Sequence, residues 1–409
     1  MVRISELPNG LTLIVEEVPH VSSVAYSLMI PGGVVHDAEE TLGASLILAE
    51  LTSRGAGGYD SRALSERFDA LGVRHSETIG SDSFLYSGFL LADELSEVLE
   101  LVSLMVLEPR LPVDEIESIA DLFSQDIRSL EDNPANKAMI KLREKYYPTP
   151  YGRSTLGTLT GLKNTTLEIL KAEWQEKYHP RGAVLSIVGN VKCAEVETLV
   201  HRYFGAWQGS CVQKIPFGTP AKGAYHHIES DSAQLQITFA SPSAPFCDEN
   251  YYAAKVASGI LSGGMFGRLF VEVREKLGLC YSVYAGHSAT KEYGTLSAYA
   301  GTVPERADKT LEVMLREMKG LKGTVTQEEL DRAKANILAG YVIGEESIPA
   351  RASSYASDWW IIKRVRSREE ITQAYNQVTL ADIDNYCERF PIADYSVLTL
   401  GSRRLDHIF

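Results

Sequence analysis

The alternation of hydrophobic and polar positions predicts the strands and helices of the first half of the chain. Residues 11–16 follow a Pro-Asn-Gly turn and residues 24–30 precede a Pro-Gly-Gly stop, so both are predicted strands. Residues 41–54 contain no proline and end before a glycine, and residues 61–71 repeat apolar side chains at helical offsets, so both are predicted helices. Further strands are predicted over 84–91 and 183–188, and further helices over 92–107, 113–131 and 167–178.

The second half of the chain repeats this order of elements. Strands are predicted over 235–240, 281–287, 294–301 and 396–400, and helices over 249–261, 269–276, 305–321, 327–343 and 380–390. Each half ends with a helix, a proline, and a strand followed by glycine. The repeated order predicts an α+β protein of two homologous domains that arose by internal duplication.

A segment rich in glycine and proline, residues 208–224, is the predicted connection between the two domains. The domains are therefore predicted as residues 1–210 and 225–409, with a linker over 211–224. Each domain is expected to form a largely antiparallel sheet with helices packed on one side.

Composition and charge exclude several classes of protein. The 409 residues include 44% hydrophobic and 23% charged side chains, which is a normal globular balance. A net charge of −14 disfavours nucleic-acid binding, since the chain repels phosphate. There is no apolar run of about 18–20 residues for a membrane span, and the first residues lack a secretory signal. Five scattered cysteines without a CxxC pair indicate reduced thiols, so we expect a cytoplasmic protein.

Local motifs for metal or nucleotide binding are not found in the sequence. None of the nine histidines is spaced three or four residues from another, as two zinc ligands on one helix face would be. The glycines at 263, 264 and 267 do not continue into the Gly-Lys-Ser/Thr ending of a phosphate-binding loop. No Gly-x-Ser-x-Gly elbow is present either. We therefore predict no metal and no cofactor in this chain.

One cluster of side chains remains as candidate chemistry. Residues 268–284 read as a helix that passes through Gly278 into a strand, with Arg274 before the turn and Tyr281 after it. Arginine offers a fixed fork of donors for a carbonyl or carboxylate group, and tyrosine offers one hydroxyl. The spacing alone favours the plainer interpretation, in which Arg274 is a surface charge and Tyr281 a half-buried strand aromatic.

The same segment carries a resemblance to a known family. Residues 261–285, LSGGMFGRLFVEVREKLGLCYSVYA, closely resemble the C-terminal-domain signature of the pitrilysin/insulinase-type metallopeptidases, the inverted zincins. The shorter bacterial and mitochondrial-processing-peptidase-like branch fits best. LPNGLTLIVEE, YGRSTLGT, HPRGAVLSIVGNV and YFGAW resemble further landmarks in the same order, so the resemblance covers nearly the whole chain. It implies the LuxS/processing-peptidase-like metallohydrolase fold.

The chain departs from that family at the zinc motif. Members carry H-x-x-E-H on a helix that begins with glycine and ends in a basic residue and glycine. Gly43 and Arg54 frame such a helix here. The resemblance then places Leu46 and Glu50 at the two histidine positions and Ala49 at the glutamate that activates water. The third ligand falls on or beside Asp126. Because zinc requires three or four closely placed ligands, the resemblance implies a chain that does not hydrolyse peptides alone.

The C-terminal signature, in contrast, is intact. In such peptidases an arginine and a tyrosine of this segment hold substrate at the zinc site, and residue by residue they map to Arg274 and Tyr281. Gly263, Gly264 and Gly267, at the start of the same segment, are expected to bind the substrate. The resemblance therefore implies a zinc-less subunit that acts in trans in a heterodimer. Its partner would carry H-x-x-E-H and the zinc, and its substrate would be an unfolded or short peptide.

Two other functions stay open at the level of the sequence. A substrate-capturing subunit like the α-chain of mitochondrial processing peptidase would use a longer glycine-rich loop than the one present here. A scaffold like the core proteins of respiratory complex III would need neither Arg274 nor Tyr281. The sequence also leaves open whether the isolated chain forms a homodimer.

Overall fold

The structure is a computed structural model that describes residues 2–210 and 212–406. Cys211, the first residue of the predicted linker, and residues 407–409 of the predicted second domain lie outside the described residues. The chain forms two compact units. The N-terminal unit consists of Met1–Ser129, Arg153–Pro216 and Gly344–Val365, and the C-terminal unit of Leu130–Gly152, Phe217–Ile343 and Arg366–Phe409.

The strands and helices alternate along both units. The strands are β1 (Val2–Glu6), β2 (Thr12–Glu17), β3 (Ser23–Pro31), β4 (Gly55–Ala56), β5 (Tyr59–Asp60), β6 (Arg74–Ile79), β7 (Ser83–Leu91), β8 (Val184–Gly189), β9 (Tyr225–Glu229), β10 (Leu235–Ser243), β11 (Cys280–Ala289), β12 (Gly294–Thr302) and β13 (Ser396–Gly401). The α-helices are α1 (Ala44–Thr52), α2 (Ser61–Ala70), α3 (Leu95–Leu107), α4 (Ile116–Ser129), α5 (Pro134–Tyr146), α6 (Leu159–Asn164), α7 (Leu167–Lys177), α8 (Cys193–Phe204), α9 (Tyr251–Ser262), α10 (Ala307–Lys319), α11 (Gln327–Glu345), α12 (Ile348–Ile362), α13 (Arg368–Gln377) and α14 (Leu380–Arg389).

The sheet of the N-terminal unit has the strand order β1-β2-β8-β3-β7-β6. The β2–β8 pair is parallel and the other pairs are antiparallel. On one face, Leu13 and Val15 of β2 belong to the main core with the apolar sides of α1 and α3. On the other face, Ile14 packs in a second cluster with Ile348 and Ala352 of α12. Both faces of this sheet are therefore covered.

The sheet of the C-terminal unit has the order β11-β12-β10-β13-β9, with a parallel β13–β9 pair and antiparallel pairs elsewhere. Numbered by chain order within each unit, the five strands from β2 and from β9 both follow the order 1-5-2-4-3 with one parallel pair in the same place. Helix α5 covers the second face, where Ala138 and Leu142 pack against Ala240 and Leu398. The shared topology is that of a duplicated domain.

The predicted fold class is confirmed: the chain is α+β, with two similar, antiparallel-rich units. The predicted packing of helices on one side is incomplete, since α12 and α5 each cover the opposite face of a sheet. The compact units also differ from the contiguous ranges 1–210, 211–224 and 225–409, because α5 and α12 belong to the unit whose sheet they cover. Residues 212–224 form no helix or strand, and Phe217 among them stacks on Tyr293 at 3.7 Å.

Helix α12 is held to its sheet by polar contacts as well as by apolar packing. The carboxylate of Glu16 on β2 forms an ion pair with Arg351 and accepts a hydrogen bond of 2.9 Å from the hydroxyl of Tyr355. Burial raises the pKa of Tyr355 to about 12, so this hydroxyl stays protonated at neutral pH.

Among residues 2–210 and 212–406, no helix combines the length and the apolar composition that crossing a membrane requires.

Candidate functional site

Helix α1 of the N-terminal unit carries three of the four zinc-motif positions. It begins after Gly43, whose φ of +112° is readily adopted by glycine and by few other residues. The carboxylate of Asp37 accepts the backbone N–H of Gly43 at 3.0 Å, which satisfies a donor at the start of the helix. Leu162 lies 2.6 Å from where a Cβ at position 43 would stand, so α1 starts at a tightly packed point.

The side chains at the zinc-motif positions of α1 serve packing and an ion pair. Ala49 is 3% exposed and belongs to the core of the unit, and Leu46 is half-buried. The carboxylate of Glu50 accepts a hydrogen bond of 3.0 Å from Nε of Arg54, one helical turn further on. Arg54 Nε also lies 3.7 Å from a carboxylate oxygen of Glu115. The one potential ligand on α1 is thus already neutralised by an arginine.

The fourth position, Asp126, lies exposed on α4, while its neighbour Ile127 packs against the core. Within residues 2–210 and 212–406, no group of three or more His, Cys, Asp and Glu side chains is placed to hold a metal ion. Two of the four positions lack a donor atom, one carboxylate is paired with arginine, and one is exposed to solvent. These residues do not fit zinc, which requires a closed set of N, S or O ligands.

The purified chain is expected to contain no stoichiometric zinc, because Leu46 and Ala49 offer no donor atom and Glu50 is paired with Arg54. Elemental analysis after dialysis against metal-free buffer measures this. A homologous subunit with an intact H-x-x-E-H motif, purified in parallel, is the positive control. About one zinc per chain in the present protein would contradict the expectation.

A buried cluster of charged and polar side chains lies beside the start of α1; its members are Asp37, Ser45, Glu173 and Lys177. Nζ of Lys177, on α7, lies 2.9 Å from a carboxylate oxygen of Asp37 and donates a hydrogen bond of 2.9 Å to the hydroxyl of Ser45. Ser45 also donates to Asp37, and Glu173 forms an ion pair with Lys177. Burial raises the pKa of Glu173 above its usual range, and the nearby Lys177 offsets only part of this increase. No motif or spacing in the sequence indicated this cluster, since a lysine at the end of a helix usually lies in solvent.

The second candidate group lies in the C-terminal unit, on a π-helical segment over Phe270–Lys276. The segment is followed by Gly278, whose φ of +58° allows the chain to turn into β11. The turn is anchored from two sides. Arg306 donates a hydrogen bond of 2.6 Å to the carbonyl oxygen of Gly278, and the hydroxyl of Thr302 donates one of 2.6 Å to that of Leu279. Such π-helical turns occur frequently at functional sites.

The structure brings Arg274 and Tyr281 together across this turn. The guanidinium carbon of Arg274 lies 5.0 Å from the centroid of the Tyr281 ring and 4.8 Å from that of Phe270. Tyr281 is 76% exposed. Among the acidic side chains that the structure describes, none forms an ion pair with Arg274; the nearby Glu272 pairs with Lys276 and Arg316. The guanidinium of Arg274 and the hydroxyl of Tyr281 are therefore neighbouring hydrogen-bond donors at the surface of the unit.

Arg268, the other arginine of the segment, has a structural role. Its guanidinium donates to both carboxylate oxygens of Glu329, at 2.6 and 2.8 Å, and to the hydroxyl and carbonyl oxygens of Thr324. These contacts lower the pKa of Glu329 to about 2. Arg268 is therefore fixed between α11 and the loop before it, while Arg274 has no carboxylate partner among residues 2–210 and 212–406.

The glycines predicted to contact substrate form the turn after α9. Gly264 has a φ of +88°, and a Cβ on Gly263 would stand 2.4 Å from the carbonyl oxygen of Gly259. The space between this turn and α11 measures about 10 Å³, which is room for one water molecule. Met265 and Phe266 between the glycines are exposed. The role of Gly263, Gly264 and Gly267 in substrate binding stays a prediction.

The chain is similar to known proteins in sequence and in structure. Residues 12–159 match the family model described as insulinase (peptidase family M16), and residues 164–337 match the one described as the peptidase M16 inactive domain. Proteins named uncharacterized zinc protease from Rickettsia bellii and Bacillus subtilis are 25% and 24% identical, each over 98% of both chains. A third, from Mycobacterium tuberculosis, is 25% identical over 98% of this chain and 93% of its own length.

Two solved structures share the fold. A crystal structure described as a peptidase M16 inactive domain from Pseudomonas fluorescens has a TM-score of 0.87 at 22% identity, over 100% of this chain and 99% of that chain. A protease from Helicobacter pylori has a TM-score of 0.88 at 18% identity, over 98% and 99% of the two chains. At this level of identity the likeness concerns the fold alone.

Proposed function

Because this chain belongs to the M16 peptidase family, we propose that it is the zinc-less subunit of a heterodimeric peptidase. Its partner would be a subunit of the same family that carries H-x-x-E-H and the zinc, and the complex would work in the cytoplasm. The observation that carries the proposal is a contrast within the chain. The zinc-motif positions Leu46, Ala49 and Glu50 are filled by core packing and an ion pair, whereas Arg274 and Tyr281 lie together without an acidic partner in the described part of the chain.

Arg274 and Tyr281 suit a role in holding the scissile peptide group. A guanidinium and a phenolic hydroxyl are both hydrogen-bond donors, and they can stabilise the negative charge that develops on a carbonyl oxygen under attack. Activating the attacking water would be the task of the zinc in the partner subunit. The present chain would bind an extended or unfolded segment of the substrate and complete the site in trans.

Several features support this function over the alternatives. A scaffold protein needs no exposed arginine–tyrosine pair, yet Tyr281 is 76% exposed and Arg274 is placed beside it on an anchored turn. A substrate-capturing subunit like the α-chain of mitochondrial processing peptidase would use a longer glycine-rich loop than the short turn over residues 263–267.

Reconstitution tests the proposal. The purified chain is mixed with an H-x-x-E-H subunit of similar length from the same genome, and cleavage of an unstructured fluorogenic peptide is followed. We expect each subunit alone to be inactive and the mixture to be active, with activity saturating at a one-to-one ratio. Peptide binding without a gain in rate would indicate a substrate-capturing subunit. Neither binding nor rate gain would indicate a scaffold and would contradict the proposal.

A further inference from the structure

We infer that Phe270 is a positioning residue, which holds the guanidinium of Arg274 in the orientation that the proposed function requires. This inference rests on the proposed function and concerns the same site. Phe270 does not itself reach a substrate; it acts through Arg274. Neither the family resemblance nor the spacing of the sequence identified Phe270, because an aromatic residue on an amphipathic helix normally belongs to the core.

The geometry places the arginine between two rings. The guanidinium carbon of Arg274 lies 4.8 Å from the ring centroid of Phe270 and 5.0 Å from that of Tyr281, and both distances are within the range of a cation–π contact. Phe270 and Arg274 are four residues apart on the π-helical segment, whereas Tyr281 is the second residue of β11. One ring therefore comes from each side of the turn.

The two rings replace the usual means of fixing an arginine. Arg268, a few residues earlier, is held by the carboxylate of Glu329 and by two oxygens of Thr324, and these contacts occupy its donors. A carboxylate beside Arg274 would occupy the same N–H groups that a substrate carbonyl needs. An aromatic face attracts the cation through its quadrupole and leaves the in-plane N–H donors available. Holding Arg274 by ring faces thus restricts a long, flexible side chain without blocking its hydrogen bonds.

The surrounding turn is rigid enough for this arrangement to matter. Arg306 and Thr302 each anchor the turn with a hydrogen bond of 2.6 Å, and the backbone N–H of Leu279 donates to the carbonyl oxygen of Val273 at 2.9 Å. The main chain on both sides of Arg274 is therefore fixed, and the remaining freedom lies in the arginine side chain. Phe270 is half-buried, so its ring is not fully free in solvent.

Kinetics of the reconstituted complex test the inference. We expect Phe270→Leu to lower kcat about fivefold, which corresponds to about 1 kcal/mol, with KM changed less than twofold. Phe270→Tyr keeps the ring and should stay within twofold of the wild type. Phe390→Leu is the matched control, because Phe390 is also half-buried and has Arg389 over its ring at 5.9 Å. It should leave kcat unchanged. In an Arg274→Ala background, Phe270→Leu should cause no further loss.

A second measurement on the isolated chain separates this inference from the proposed function. Phenylglyoxal modifies accessible guanidinium groups, and mass spectrometry of peptides gives the rate at Arg274. We expect Phe270→Leu to raise that rate about threefold, and Phe390→Leu to leave it unchanged. If Arg274→Ala keeps full activity, the proposed function fails, and the labelling rate alone decides whether Phe270 holds Arg274. An unchanged labelling rate, or an equal loss of kcat in the Arg274→Ala background, would overturn the inference.

Discussion

Tyr281→Phe and Arg274→Ala, each reconstituted with the H-x-x-E-H partner, are expected to lower kcat by about two to three orders of magnitude. Each variant removes a donor that acts on charge developing in the transition state, so kcat should fall more than KM rises. The measurement is steady-state cleavage of an unstructured peptide at saturating partner. Since Tyr281 is 76% exposed, the melting temperature of the isolated chain should change little.

Tyr284→Phe provides the matched control for the tyrosine variant. Tyr284 lies three residues further along β11, is also exposed, and stacks on Tyr299 at 5.0 Å. Its loss of one hydroxyl should leave kcat within twofold of the wild type. Wild-type rates for both Tyr281→Phe and Arg274→Ala would show that the pair has no catalytic role, and the scaffold hypothesis would then be preferred.

Lys177→Met is expected to destabilise the chain by about 3–5 kcal/mol, because it leaves a buried carboxylate without its counter-ion. Lys177 is 1% exposed, and its ammonium lies 2.9 Å from Asp37, which is 3% exposed. Asp37 in turn caps the start of α1 through the N–H of Gly43. Urea unfolding followed by circular dichroism measures the loss, as a lower midpoint of the first transition.

Lys171→Met on the same helix is the control for this loss. Lys171 is exposed, so its replacement should change the free energy of unfolding by no more than about 0.5 kcal/mol. The double variant Asp37→Asn/Lys177→Met should lose less than the sum of the two single variants, since removing both charges leaves neither unpaired. Equal midpoints for Lys177→Met and the wild type would refute a stabilising role for the buried cluster.

The strands could be predicted from the sequence because a half-covered strand alternates apolar and polar residues, and a fully covered strand is a continuous apolar run. The predicted strands at 24–30 and 84–91 correspond to β3 and β7 within one residue at each end. Helices α5 and α12 were not among the predicted elements. The sequence did contain a signal for a second layer of helices, since β8 is a nearly continuous apolar run, VLSIVG. All six of its residues are buried in the structure. A strand that reads as a continuous apolar run needs cover on both faces.

The candidate site could be predicted from the sequence only in part. The pairing of Glu50 with Arg54 follows from their spacing of four residues on a helix. The different roles of Arg268 and Arg274 do not follow from spacing, because Arg268 is fixed by Glu329, which lies 61 residues further along the chain. The spacing of four residues also allows Phe270 to face Arg274 on a helix, but it does not show that the ring of Tyr281, beyond the turn at Gly278, lies against the same guanidinium.

The sequence by itself determined the repeated order of strands and helices, the lack of donors at Leu46 and Ala49, and the presence of Arg274 and Tyr281 on either side of Gly278. These are properties of residue types and short spacings, and local periodicity fixes them. Only the tertiary structure decided which helix covers which sheet face, that Lys177 and Asp37 are buried together, and that Arg274 lies between two rings. Those contacts join residues far apart in the chain, or residues on the two sides of the turn at Gly278, and such arrangements are set by the packing of the whole unit.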